Sequence, residues 1–143
     1  GVIPKSTLYL VLGRAFDYPL VKGVIPESVI SLDFGRNYSH ALEKGVIPNS
    51  VKSLRLGLGQ TLRIVPDSVE FLIVYSSIKD FSKLPSSVKN LMILREHYLG
   101  LQELSFPDYL KKTLPKTVLS LTWECRFYEG KALEDLLNGN PEF

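Results

Sequence analysis

The side chains of this chain that could act as nucleophiles are hydroxyls that recur at a regular spacing. A nucleophile needs one activated hydroxyl with a base in reach, whereas this chain repeats the hydroxyl in six places and has only His40 and His97 as imidazole bases. We therefore predict that the hydroxyls are structural and that each bonds a nearby backbone group to fix a turn. They are Ser6, Ser28, Ser50, Ser68, Ser87 and Thr117.

Other reaction types lack their residues as well. One cysteine, Cys125, and two distant histidines do not form a metal-ligand cluster. Gly57-Leu58-Gly59 lacks the further glycine and the lysine of a phosphate loop. Polysaccharide cleavage needs paired carboxylates, and Asp33 is the single acidic residue at the outward strand positions defined below. The sequence predicts no enzymatic activity, no cofactor and no metal.

Composition sets the broad class. A chain of 143 residues that is 45% hydrophobic can bury one ordinary core. Its 17 basic and 15 acidic residues are interspersed and give a net charge of +2, which argues against nucleic-acid or membrane-surface binding. No apolar run approaches the roughly 20 residues of a membrane helix. The lone cysteine favours a reducing compartment, so we expect an intracellular, cytoplasmic location.

The elements that position these residues are copies of one repeat. The peptide GVIP occurs at residues 1–4, 23–26 and 45–48, and the proline anchors of the series are spaced by 22, 22, 18, 19 and 30 residues. After each proline come a hydroxyl at offset two, Val or Thr at offset three, Leu at offset six and a large apolar residue at offset eight. The anchors are Pro4, Pro26, Pro48, Pro66, Pro85 and Pro115.

Offsets six and eight have the period of a strand. They point to one side of an extended chain, while offsets five and seven point to the other. One such strand cannot bury its apolar side alone, so the copies are predicted to stack as a mainly β solenoid with a parallel sheet of about six short strands. Aromatic and leucine residues between strands are expected to fill the back of each coil. They are Phe16, Leu20, Tyr38, Leu42, Leu62, Phe81, Phe106, Leu110 and, in the last copy, Phe127.

The repeat resembles two related families. Val29-x-x-Leu32-x-Phe34 with Asn37 is similar to the leucine-rich-repeat signature. GVIP-x-S-V-x-x-L-x-F-G together with Phe16-Asp17-Tyr18-Pro19-Leu20 resembles the FNIP repeat of social amoebae and giant viruses of amoebae. The family asparagine is Asp17 or Ser39 here. This resemblance implies a leucine-rich-repeat-like solenoid and, because such proteins often carry an F-box upstream, a substrate receptor of a ubiquitin ligase.

The pattern also divides the chain. Residues 1–127 are predicted to form the repeat solenoid and residues 128–143 a C-terminal cap. The cap contains a helix over 131–138 that ends at Gly139. An insertion at about 95–104 is expected as a helical turn or a loop. Because a repeat opens the chain, its first coil would expose apolar residues, and we expect either a further N-terminal segment or another chain to cap the stack.

The outward face of the sheet is the candidate partner site. At its centre Phe71, Ile73 and Met92 are predicted to form an exposed apolar cluster, with Tyr75 at the strand end beside it. The alternatives are that this cluster packs under the insertion or that the register slips in the short copies. The full set of candidate partner-binding residues is Tyr9, Asp33, Arg55, Phe71, Ile73, Tyr75 and Met92.

Two functions remain open from the sequence. The first is a protein-protein interaction scaffold, in the family context the recognition part of an F-box receptor in the cytoplasm of the cell or of a virus's host. The second is a structural or assembly protein, for example of a virus particle, that associates with itself through its N-terminal end. No partner can be identified from these residues, because a fold does not imply a function.

Overall fold

The computed structural model describes residues 2–95, 107–123 and 126–139, and their strands form one sheet. The sheet follows chain order throughout, so each strand lies beside the strand before it. The elements are β1 (Tyr9–Val11), β2 (Ser31–Asp33), β3 (Ser53–Arg55), a short 3-10 helix (Leu62–Ile64), β4 (Phe71–Tyr75), β5 (Asn90–Leu94), α1 (Asp108–Thr113), β6 (Ser120–Trp123), β7 (Arg126–Glu129) and α2 (Gly130–Leu137).

The first six strands are parallel, and their register keeps the repeat offsets aligned. Leu32 lies opposite Leu10 and Leu54, and the leucines of β4, β5 and β6 continue the same row. The register is maintained across the shorter copies, so the alternative that the register slips there is wrong. The predicted leucine-rich-repeat-like solenoid with a parallel sheet is confirmed. A seventh strand, β7, was not predicted and pairs antiparallel with β6.

Each coil begins with the same turn. The proline carbonyl accepts a hydrogen bond from the backbone N–H three residues later in all six copies, at 3.0–3.2 Å. Gly23 and Gly45, which open two GVIP segments, have φ of 90° and 92°, where glycine avoids the steric cost of a side chain. The apolar residue before the proline is buried in copies two to six. GVIP is therefore the corner that leads into a strand.

The core lies between the sheet and the returning segments. The offset-six and offset-eight residues of copies two to six are buried, as are the offset-three valines. Tyr38, Leu62, Phe81 and Leu110 are buried at the back, which confirms their predicted filling role. Phe106 and residues 96–104 of the predicted insertion lie outside the described residues.

The two helices pack at the C-terminal end of the stack. In α1, Leu110 is fully buried, and the Thr113 hydroxyl accepts a hydrogen bond from the Phe81 N–H at 3.1 Å, which ties the helix to the back of coil four. In α2, Leu133 and Leu136 are buried, and the helix contacts α1, β6 and β7. The chain leaves α2 through Gly139 at φ 80°. The predicted C-terminal helix is confirmed.

The hydroxyl column differs from its prediction in one respect. The acceptors are carbonyls of the preceding coil and not of the local turn: Ser28 Oγ donates to Thr7 O, Ser50 Oγ to Val29 O and Ser68 Oγ to Val51 O, at 2.7–2.8 Å. The turn itself is closed by the backbone. The side-chain oxygens of Ser87 and Thr117 are buried without a hydrogen-bond partner. The column therefore links neighbouring coils, and it does so only in part of the stack.

Candidate protein-interaction face

The outer face of the sheet presents two rows of side chains, set by the register of all seven strands. Neighbouring strands lie about 4.8 Å apart, so the rows run for about 29 Å. The first row holds Tyr9, Ser31, Ser53, Phe71, Asn90, Ser120 and Glu129, and the second Val11, Asp33, Arg55, Ile73, Met92, Thr122 and Phe127.

The predicted apolar residues share this face. Ile73 lies directly opposite Met92, and Phe71 starts the same strand as Ile73. All three side chains are half-buried, as expected where flanking strands cover the sides of each residue. Tyr9 is 70% exposed at the β1 end of the face, away from this cluster. Binding of a partner by these residues remains a prediction.

Asp33 and Arg55 form a cross-strand pair with a third member. Arg55 Nη1 lies 3.5 Å from Asp33 Oδ2, and Arg55 Nη2 donates to the Tyr75 hydroxyl at 2.9 Å. The other carboxylate oxygen of Asp33 accepts from the Gly35 N–H at 2.7 Å. The bond to Tyr75 raises the pKa of the Arg55 guanidinium, partial burial opposes this, and the Asp33 charge adds to the rise. Three successive coils are thereby joined through side chains.

Tyr75 does not contribute exposed surface, contrary to the expectation that it extends the apolar cluster. Only 3% of it is exposed. The guanidinium carbons of Arg36 and Arg55 each lie 5.9 Å from the centre of its ring, a cation-π distance. The residue has the outward position that its offset gives it, but arginines of coils two and three cover it.

Phe127 belongs to this outer face and not to the back of the last coil. It pairs with Thr122, whereas its neighbour Tyr128 pairs with the inward-pointing Leu121. Accordingly Phe127 is 60% exposed and Tyr128 only 7%. Facing residues in an antiparallel pair point the same way, so Phe127 continues the row of Ile73, Met92 and Thr122. The alternation Arg126-Phe127-Tyr128-Glu129 was the available signal for a strand.

A polar cluster on the back contains Ser, His and Asp but is not arranged for catalysis. The Ser39 hydroxyl donates to the Asp17 carboxylate at 3.0 and 3.1 Å, and the Ser39 N–H donates to it at 3.0 Å. His40 Nε2 lies 2.9 Å from the Asp17 carbonyl oxygen, which can only accept. Gln60 in turn donates to the His40 carbonyl at 2.8 Å. The cluster joins coils one to three, and the His40 ring nitrogen is bonded to a backbone carbonyl and not to the Ser39 hydroxyl.

Hydrogen bonding also perturbs the acid of this cluster. The Ser39 backbone N–H is the main cause that lowers the pKa of Asp17, and the Ser39 hydroxyl and the nearby His40 act in the same direction. The carboxylate is thus the preferred form in the folded chain. Asp17 occupies the position that an asparagine has in the FNIP repeat it resembles. Its carboxylate accepts hydrogen bonds that an asparagine side-chain oxygen could also accept.

Two further features are absent from the part of the chain that the structure describes. No three His, Cys, Asp or Glu side chains come together there as a metal site would require. In the same residues, no helix has the length and apolar character needed to cross a membrane.

The repeat geometry agrees with comparisons to known proteins. The profile described as FNIP Repeat matches residues 1–36 and 16–59. The first 59 residues are thus similar to FNIP repeats. Among solved structures, this chain is similar to CroV588, described as a novel circular LRR protein, with a TM-score of 0.63 and 24% identity. The match covers 84% of this chain but 18% of that chain, so it shows the fold alone. No curated protein matches this chain.

Proposed function

We propose that this chain is a protein-protein interaction scaffold that binds its partner through the outer face of the sheet. The observation that carries the proposal is an apolar set on three of the last four strands: Phe71 and Ile73 on β4, Met92 on β5 and the largely exposed Phe127 on β7, with Thr122 of β6 between Met92 and Phe127. Contiguous apolar side chains on a surface mark partner sites. Folds of this leucine-rich-repeat-like class are typically non-enzymatic scaffolds.

The finer proposal is a receptor role. FNIP-repeat proteins resemble this chain and often carry an F-box, so we propose that these repeats form the substrate-recognition part of an F-box ubiquitin-ligase receptor. Such a receptor acts in the cytoplasm, and the proposal includes that location. The chain spans only 18% of the solved structure it matches, so the activity of a whole protein of that size is likewise a proposal.

The test compares partner capture by matched variants. Wild-type chain, Phe71→Asp/Met92→Asp and the control Tyr18→Asp/Val21→Asp are immobilised, and proteins retained from amoebal lysate are identified by mass spectrometry. Tyr18 and Val21 are exposed apolar residues on the returning segment, at 70% and 64%, so they match the face variant in character. We expect the face variant alone to lose specific partners. An unchanged partner set for the face variant would refute the proposal.

The same captured set separates the receptor role from other scaffolds. If the chain supplies substrates to a ligase, proteins lost from the face variant become ubiquitinated when the full-length protein is overproduced in amoebae and do not when it carries the face variant. If the face variant does not change the ubiquitination of these partners, the scaffold function stands and the receptor role is excluded.

A further inference from the structure

The apolar part of the outer face is too small to be covered efficiently by a second globular copy. From β4 to β7 it crosses four strands, about 14 Å, and the strands of 4–5 residues make it about 13–17 Å wide. Its area is therefore on the order of 200 Å², compared with about 800 Å² per partner in a standard protein complex. A narrow element fits this surface better than a flat one.

An extended strand does not fit on this face. The backbone groups of β4, β5 and β6 are bonded to the strands on either side, so the face offers side chains alone. A strand laid on it would leave its own N–H and C=O groups unpaired wherever water is excluded, which is costly. A helix satisfies those groups internally, so it can be buried against apolar side chains on one side.

The dimensions suit one helix lying across the strands. A helix with side chains is about 10–12 Å wide, and 14 Å of its length is about ten residues. Side chains at i, i+4 and i+7 recur every 5–6 Å along one face, close to the 4.8 Å between strands. An apolar stripe of three or four residues would therefore meet Phe71 and Ile73 on β4, then Met92, and then, beyond Thr122, Phe127.

Charge indicates the orientation of this helix. Glu129 is exposed at the β7 end of the face and, among the described residues, forms no ion pair, whereas Arg55 at the other end is already paired with Asp33. A helix N-terminus carries partial positive charge. The end over Glu129 is therefore favoured to be the N-terminus, and a Lys or Arg in its first turn would pair with Glu129 directly, at some cost from the helix's own dipole.

We infer that the outer face binds one amphipathic helix of a partner protein, which crosses the strands from β4 to β7 with its apolar stripe on Phe71, Ile73, Met92 and Phe127 and a basic first turn over Glu129. This inference rests on the proposed function and names the class of partner. The inference excludes a second copy of the chain and an extended peptide as the partner bound on this face.

The probe is a pair of phage-displayed peptide libraries panned on the wild-type chain. One library has apolar residues at i, i+3, i+4 and i+7, and the other alternates apolar and polar residues. We expect enrichment from the first alone, and helical circular dichroism of the selected synthetic peptides when bound. Enrichment from the alternating library, or from neither, would overturn the inference.

Variants then place the selected peptides on the face. Affinity, measured by fluorescence anisotropy, should fall about 10-fold or more for Phe127→Ser and for Met92→Ser, as for central contact residues, and stay unchanged for Tyr18→Ser. Glu129→Lys should weaken a peptide headed by Lys and strengthen its Glu-headed counterpart. Insensitivity to Phe127→Ser, or self-association that depends on Phe127, would contradict helix docking. If lysate partners require the face but helical peptides do not bind, the scaffold function stands and the helix inference fails.

Discussion

Two serines of the same column should respond in opposite ways to the same substitution. Ser50 Oγ donates to the Val29 carbonyl at 2.7 Å, whereas Ser87 Oγ is buried without a hydrogen-bond partner. Ser50→Ala removes a hydrogen bond, worth about 1 kcal/mol net, and up to about 3 kcal/mol if the carbonyl is left unsatisfied. Ser87→Ala removes a hydroxyl whose burial is uncompensated, so it should be neutral or stabilising.

The measurement is urea unfolding of the wild type and both variants, followed by circular dichroism. With a slope of about 2 kcal/mol per molar urea, a loss of 1–2 kcal/mol lowers the Ser50→Ala midpoint by about 0.5–1 M. The Ser87→Ala midpoint should stay the same or rise. Equal destabilisation of the two variants would refute the reasoning, since it would mean that each hydroxyl acts within its own turn and not between coils.

Three further predictions concern a turn, an acid and an aromatic side chain. Gly35→Ala should cost at least about 2 kcal/mol, because φ is 73° and the new Cβ would lie 2.7 Å from a backbone oxygen, whereas Gly23→Ala, with open space, should cost about 1–2 kcal/mol by urea unfolding. The pKa of Asp17 is lower in the folded chain than its unfolded value of about 3.8, so the ionised side chain stabilises the fold at pH values above about 3.8. This stabilisation is lost as the pH falls through the pKa of the folded state. The Asp17→Asn variant should therefore lose less unfolding free energy than the wild type between pH 7 and pH 3. An equal loss in the two proteins would contradict this explanation. Phe127→Ser should change the unfolding free energy by less than about 0.5 kcal/mol, whereas Phe81→Ala should lower it by about 3–5 kcal/mol. Comparable losses for the two variants would mean that Phe127 is a core residue.

The inner columns could be predicted from the sequence because each coil solves the same burial problem in the same way. Leu32, Leu54 and Leu72 repeat at one offset, and a strand that must bury one side fixes that offset to the inside. Spacing relative to proline carries this information as long as the strands run in one direction. The proline spacing therefore predicted the solenoid, its parallel sheet and the positions of Phe71, Ile73 and Met92.

The errors arose where a side chain depends on another coil or on a change in chain direction. Phe127 has the offset of a back-filling aromatic, but β7 runs antiparallel, so offset no longer determines the face. Tyr75 has an outward offset and is covered by Arg36 and Arg55 of other coils. The hydroxyl of Ser50 reaches an acceptor 21 residues away, which no local turn rule contains.

The hydroxyl bonds and the strand lengths complement each other along the stack. Ser28, Ser50 and Ser68 bond across the interfaces β1–β2, β2–β3 and β3–β4, where three residues pair in each case. Ser87 and Thr117 make no such bond, and their interfaces, β4–β5 and β5–β6, pair five and four residues. Extra backbone pairing thus takes over where the hydroxyl bond is missing. The longer strands β4 and β5 also carry Phe71, Ile73 and Met92, so the coils that offer this apolar cluster are those held together by backbone pairing rather than by the repeat's serine.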